Sequence, residues 1–238
     1  KRIFSSLAEA EQNDNTQRAF SVLANGGLTI KILEGLSLRS ENGLDLSSTH
    51  ENQYNSMKNL SGMAENGYAR KAMSNVLSWI TANTLSYSKK IYMGDFDAVI
   101  GMEASESVRK STNATGSRFA NDWIREVTYA PDEYRRGGSS GSENSSLSYF
   151  GRINYVWDKR YAITASMRRD GDSNFGSSVK WGTFAAAGVA WTVSNEQFWN
   201  QDNRAVSFLK FKATYGNNGN ARFASNYAKG VYSFDSTH

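Results

Sequence analysis

The 238-residue chain has no cysteine, one proline (Pro131) and two histidines, His50 and His238. Without cysteine, disulfide scaffolds, zinc fingers, thiol catalysis and iron–sulfur clusters are excluded. Two distant histidines make no metal cluster and leave a Ser-His-Asp arrangement without a credible base. The scarcity of proline fits long uninterrupted strands, because proline removes a ladder donor and is confined to edges and bulges. No stretch approaches the ~18–20 apolar residues of a transmembrane helix, and the mean hydropathy is -0.57. That excludes helical spans alone, since a transmembrane strand needs ~9–11 residues with one apolar face.

Glycine is plentiful at 20 residues and aromatics make up 13% of the chain. The net charge of +4 is spread out. Arg135-Arg136, Arg168-Arg169 and Lys89-Lys90 are isolated pairs rather than a phosphate-neutralising stripe, so nucleic acid is not an expected partner.

A short helix is expected over Ser5 to Gln17. From Phe20 the period becomes two: Phe20, Val22 and Ala24, then after Asn25-Gly26-Gly27 the series Leu28, Ile30 and Ile32. Glu34-Gly35 reads as a tight turn, after which Leu36, Leu38, Leu44 and Leu46 face one way and Arg39, Glu41 and Asp45 the other. Ser47 to Ser74 and Ser105 to Ser146 read as long polar loops, the second with a flexible core at Gly137 to Ser142. Between them lies a hairpin of Leu77 to Tyr87 and Phe96 to Ala104. Val76 to Leu85 could pass as an amphipathic helix, but its Val, Ile, Thr, Trp and Tyr content favours a strand. Tyr149 to Trp157, Tyr161 to Arg168, Thr183 to Val193 and Leu209 to Tyr215 complete about eight strands.

The expected fold is all-β: an antiparallel transmembrane β-barrel segment with long extracellular loops and short periplasmic turns. Trp79, Tyr87, Tyr155, Trp157, Tyr161, Trp181, Trp191 and Tyr215 fall at or near strand ends, where an aromatic girdle would sit. A soluble β-sandwich also alternates and stays open at this point. In the barrel register Lys31, Arg39, Glu41, Asp45, Asp97, Glu103, Arg152, Asn154, Thr164, Arg168, Lys210 and Lys212 line the lumen. A slip of one residue would invert every assignment.

Two apparent motifs lack their context. Gly137-Gly138-Ser139-Ser140-Gly141 satisfies G-x-S-x-G without a buried strand, following helix or partner histidine. Asp170-Gly171-Asp172-Ser173-Asn174 begins like a calcium loop, but Phe175 stands where glycine is needed and Trp181 where glutamate belongs; a turn with Asx hydrogen bonds is expected. No catalytic, metal or cofactor site is expected. Asp132-Glu133, the nearest approach to a glycosidase pair, reads as solvated loop charge.

Four blocks carry a resemblance. Ser148-Tyr-Phe-Gly-Arg-Ile-Asn-Tyr155, Arg160-Tyr-Ala-Ile-Thr-Ala-Ser-Met-Arg-Arg-Asp-Gly171 running to Phe175-Gly176, Trp181-Gly-Thr-Phe184 with Trp191 and Phe198, and Leu209-Lys-Phe-Lys-Ala-Thr-Tyr-Gly-Asn-Asn-Gly-Asn220 resemble, in order and spacing, consecutive barrel segments of the SusC/RagA family of TonB-linked outer-membrane transporters. Ser6-Leu-Ala-Glu-Ala-Glu-Gln-Asn-Asp-Asn15 is similar to the segment before an earlier strand, with Ser6 where the family usually has proline.

The resemblance implies a portion of a plugged barrel of roughly 22 strands. Residues 1–238 would be part of the barrel domain, with no plug domain or TonB box. It implies import of oligosaccharides or peptides across the bacterial outer membrane. The partners would be a SusD-like surface lipoprotein and TonB-ExbB-ExbD, acting through an N-terminal region outside this chain. No residue matches a substrate-binding position of the family; from the pattern of this sequence, sugar stacking is expected of the loop aromatics Trp123, Tyr129 and Tyr134, and the lumen-facing Arg39, Arg152 and Arg168 are further candidates for ligand contact. The alternatives are a small closed eight-stranded barrel of structural or adhesive type and a secreted carbohydrate-binding sandwich.

Overall fold

The computed structural model describes residues 10–174, 181–199 and 206–219. Eight strands lie in one sheet in the order β1 to β8: Asp14–Leu33, Leu36–Asn55, Tyr68–Ile91, Gly94–Ser117, Arg135–Trp157, Tyr161–Asp172, Trp181–Thr192 and Lys210–Gly216. Neighbours in sequence are neighbours in space, and the sheet is an antiparallel meander with β1 and β8 at its two ends.

Short turns join β1 to β2, β3 to β4 and β5 to β6. In the first, Gly35 has φ +80°, and a Cβ there would collide with the Ser88 carbonyl oxygen, so only glycine fits. In the third, the Arg160 N–H donates to the Trp157 carbonyl at 3.0 Å around Asp158 and Lys159, whose φ angles are 48° and 55°. Two positive φ values make a mirror-image turn, the type that matches strand twist. Longer connections lie between β2 and β3, β4 and β5, and β6 and β7. Residues 193–209, between β7 and β8, break the alternation of short and long.

Several expected boundaries are corrected. Of the expected helix, Ala10 to Gln12 are helical and Asp14 to Gln17 open β1 instead; Ser5 to Glu9 lie outside the described residues. Asn25-Gly26-Gly27 interrupts neither β1 nor its phase, because Leu28 lies four positions after Ala24, an even offset that returns the chain to the same face. The two loops expected over Ser47 to Ser74 and Ser105 to Ser146 shrink to residues 56–67 and 118–134. Gly137 to Ser142 is not a flexible loop but part of β5. Strand extends through these polar segments because neighbouring strands satisfy the backbone and both faces tolerate Ser, Asn and Thr. Val76 to Leu85 is strand.

The chain divides into two compact units. The first, Lys1–Ala24, Leu44–Ser78 and Ser107–Glu143, holds the hydrophobic core of the described residues: Tyr54, Ala69, Phe119 and Ala130, with Met57, Ile124 and Val127 against them. A one-turn helix, α1 (Leu60–Met63), is capped by the Asn59 side chain, which accepts from the Gly62 N–H. Asn59 also donates to Asn13 at 2.6 Å, tying the loop to the start of β1. The second unit comprises Asn25–Gly43, Trp79–Glu106 and Asn144–His238. Its described residues bury few side chains, and many of its large apolar side chains, Ile153, Ile163 and Val189 among them, are exposed.

Candidate functional site

Cross-strand pairing in the second unit fixes the two faces. In β5 and β6, Phe150 opposes Arg168, Arg152 opposes Ser166, and Asn154 opposes Thr164. Continuing into β7 and β8, Arg168 opposes Phe184, Ala190 opposes Lys212, and Thr192 opposes Lys210. Side chains directly opposite each other share a face, so these form one polar face. The intervening set is apolar: Ile153 with Ala165, Tyr155 with Ile163, Ile163 with Val189, Val189 with Ala213.

Arg168 is the most connected group on the polar face. Its Nε donates to Asp170 Oδ1 at 2.6 Å, its Nη2 lies 3.4 Å from Glu103 Oε1, and its guanidinium stands 5.6 Å from the Phe150 ring centroid. A groove of about 460 Å³ opens beside it, lined by Phe150, Arg152, Arg168, Asp170, Phe184 and Asn217 among others. Ser88 donates to Asp97 at 2.7 Å, and Arg39 pairs with Glu41 at 2.5 Å. The structure thus brings Arg152 and Arg168 to one groove, while Arg39 has its own acidic partner on β2. Opposed charges with a groove between them make a hydrated surface able to hold polar solutes by direct and water-bridged hydrogen bonds. Among the described residues no group of His, Cys, Asp and Glu could hold a metal ion.

The loop candidates lie in the first unit. Trp123 is 91% exposed and Tyr129 67% exposed. Tyr134 lies under the Arg118 guanidinium, 4.3 Å from the ring centroid. Among the described residues no ring contact joins the three. Asp132 forms an ion pair with Arg135, so Asp132-Glu133 is no isolated carboxylate pair. Asp172 accepts from the Asn174 N–H at 2.8 Å, the Asx contact expected of the Asp170 to Asn174 segment, although Asp170 to Asp172 still belong to β6.

Three groups escaped the sequence reading. Phe150 is a large apolar residue between Ser148 and Arg152 on that face, a break of pattern that was the available signal; Phe184 lies between Gly182 and Ala186, and only its cross-strand partner Arg168 marks it. Asp122 accepts from the Tyr54 hydroxyl at 2.9 Å and the Met57 N–H at 3.1 Å, and lies 3.6 Å from Lys58 Nζ. Burial pushes its carboxyl up, but the hydrogen bonds from Tyr54, Met57 and Ser56 together with Lys58 outweigh that and hold it below its ordinary value. Nothing in sequence spacing links Asp122 to Tyr54, 68 residues away.

No family model matches the chain. Among curated proteins it is similar to TonB-dependent receptor P39 of Formosa agariphila, 28% identical over 222 residues, 91% of this chain and 21% of that protein. It is also similar to TonB-dependent receptor SusC of Bacteroides thetaiotaomicron, 30% identical over 145 residues, 60% of this chain and 14% of that protein. Among solved structures it is similar to the RagAB peptide transporter, with TM-score 0.78 and 25% identity over 87% of this chain and 23% of the other. The open-open state of the RagAB peptide importer shares the fold at TM-score 0.83, covering 95% of this chain and 26% of the other at 24% identity.

The antiparallel meander with its polar and apolar faces, taken with these likenesses, is what a stretch of the barrel wall of a TonB-dependent transporter looks like. The relatives and neighbours it resembles include SusC and RagAB, so the likeness is to a fragment of a transporter of the SusC/RagA type. It spans about a fifth of the length of the curated relatives it matches.

Proposed function

We propose that this chain forms part of the wall of an outer-membrane importer that takes up oligosaccharides or peptides, works with a SusD-like surface lipoprotein and is energised through TonB-ExbB-ExbD. The observation that carries this reading is the separation of faces. Tyr149 to Trp157 in β5 is nine residues, roughly 26 Å of strand at ~3.3 Å per residue, with aromatic residues at both ends of its apolar side. Tilted by ~40°, such a segment rises about 20 Å, most of the ~25 Å apolar band of outer-membrane barrels. The opposite face carries Arg152, Arg168, Asp170 and Lys212, as a water-filled passage requires.

An open eight-stranded sheet leaves unpaired backbone on β1 and β8, and each unpaired group costs several kcal/mol in lipid. That supports a wall completed by further strands over a small self-closed barrel. The neighbour described as a peptide transporter supports peptides as one substrate class. In this reading Arg152 and Arg168 face the passage, and Arg39 and the loop aromatics Trp123, Tyr129 and Tyr134 are further candidates for substrate contact.

Immunoblotting source-cell fractions with an antibody against residues 118–134 tests the wall. A heat-modifiable membrane band several times heavier than 26.4 kDa is expected; a band near that mass, or signal confined to the soluble fraction, overturns it. The mouth is tested in the complete natural protein, where Trp123→Ala should lower substrate affinity about tenfold, ~1.4 kcal/mol, for loss of one stacking platform. Unchanged uptake at low substrate removes Trp123 from the site.

A further inference from the structure

One cation stands on the wrong face. Arg169 opposes Tyr149 on one side and Thr183 on the other, which places it with Ile153, Met167 and Val189 on the apolar face. It is exposed, and among the described residues no carboxylate lies within ion-pair distance of it. The contrast with Arg168 is direct: one residue earlier, on the polar face, two carboxylates are in place. The connection of residues 175–180 contributes no acidic residue either.

Arg169 is nevertheless held in position. Its guanidinium stands over the Trp181 ring, 5.2 Å from the centroid. Trp181 is stacked with Tyr149 at 6.2 Å and an interplanar angle of 25°. The indole has room to lie there because residue 171, its cross-strand partner, is glycine; a Cβ would sit 3.0 Å from the ring. The result is an aromatic shelf with a planar, five-donor cation on it and an open front. It lies at the end of the apolar stretch nearer the β6–β7 connection.

Each feature restricts what the shelf can meet. An arginine on the lipid face costs ~2–4 kcal/mol at the bilayer midplane but only ~0–1 near the interface, which places this one at headgroup level. Trp and Tyr favour the same level. A fixed guanidinium matches phosphate oxygens bidentately. We propose that Arg169, Trp181 and Tyr149 form a docking site for the phosphate of a lipid headgroup in the leaflet on the long-loop side. The proposal rests on the reading of the apolar face as lipid-facing.

The test uses the complete natural protein, purified in detergent and offered a diphosphorylated lipid A, with retained lipid counted by native mass spectrometry. Arg169→Gln should lower lipid A affinity about fivefold, ~1 kcal/mol. Arg169→Lys, which keeps the charge but loses the fork and the stacking plane, should fall between the two. Equal retention by the wild type and Arg169→Gln overturns the site. Full displacement by inorganic phosphate overturns the lipid as its occupant, and equal retention of a zwitterionic phosphatidylcholine overturns the requirement for an anionic headgroup. Heat-modifiable migration is scored on every variant. If Arg169→Gln does not fold, Trp181→Phe, which shortens the shelf, should give a smaller loss in the same direction, and no loss overturns the site. A wild type lacking heat modifiability in membranes would instead contradict the barrel-wall reading beneath the proposal.

Discussion

Asp122 shows how one side chain can organise a surface loop. It binds the Tyr54 hydroxyl, the Met57 N–H and the Lys58 ammonium, and Tyr54 in turn meets Phe119 edge-on at 5.9 Å and carries the Arg125 guanidinium at 4.9 Å. Asp122→Ala leaves a hydroxyl and an amide without their acceptor, at a cost of ~1–3 kcal/mol. Trypsin cleavage within residues 118–134 of the natural protein in outer membranes should therefore accelerate several-fold; an unchanged rate would remove Asp122 from that role. The carboxyl titrates below its ordinary 3.8 in the folded protein. Its contribution is thus complete above the unfolded value and disappears as pH falls through the lower folded value, so the wild-type loop should loosen on acidification and the Asp122→Ala loop should respond less.

Gly35 makes a separate case at the same scale. A side chain there meets both a left-handed backbone and the Ser88 carbonyl oxygen. Gly35→Ala should cost at least ~1–2 kcal/mol, seen as a lower urea midpoint for loss of the heat-modifiable form. No shift in the midpoint would mean that the turn relaxes freely.

At the scale of elements, the strands are held at their turn end by a shared carboxylate. Glu196, just beyond the 3-10 turn Val193–Asn195, accepts from the Tyr161 hydroxyl and from Trp191 Nε1 at 2.9 Å, and pairs with Arg160 Nη1 at 2.9 Å. Arg160 also binds Asp158, and Asn195 donates to the Lys159 carbonyl at 2.7 Å. The hydrogen bonds from Tyr161 and Trp191, and then Arg160, hold Glu196 below the usual carboxylate range. Glu196→Gln should lower the temperature at which the heat-modifiable form is lost, whereas Glu133→Gln, in an exposed turn, should not. Equal behaviour of the two variants would show that the carboxylate does not tie the β5–β6 turn to the end of β7.

These contacts also mark how far the sequence could be read. The strands and their phase were legible where one face is apolar, from Phe20 to Leu46 and from Tyr149 to Tyr215. In β5 and β6 the phase carried Arg152 and Arg168 to one face with it. Where both faces are polar, as at Ser47 to Asn55 or Arg135 to Ser146, strand and loop have the same composition, and pairing with neighbouring strands decides. The Asp122 and Glu196 hubs reach Tyr54, Arg160 and Tyr161 across 68, 36 and 35 positions, and no local pattern encodes that.

For the whole molecule, the claim with the widest consequences is that one face of this sheet meets lipid and the other meets water. The chain has no native thiol, so single cysteines report on faces without background from this segment. The adjacent positions 163 to 166 of β6 are suited to this, because Ile163 and Ala165 lie on the apolar face and Thr164 and Ser166 on the polar one. The measurement is labelling of Ile163→Cys, Thr164→Cys, Ala165→Cys and Ser166→Cys in the complete natural protein, in outer membranes, with a water-soluble maleimide and with a membrane-dissolved one. The expected result alternates along the strand, with the water-soluble reagent reacting at 164 and 166 and the membrane-dissolved reagent at 163 and 165. Equal labelling at all four positions, or the opposite alternation, would contradict a barrel wall in this register.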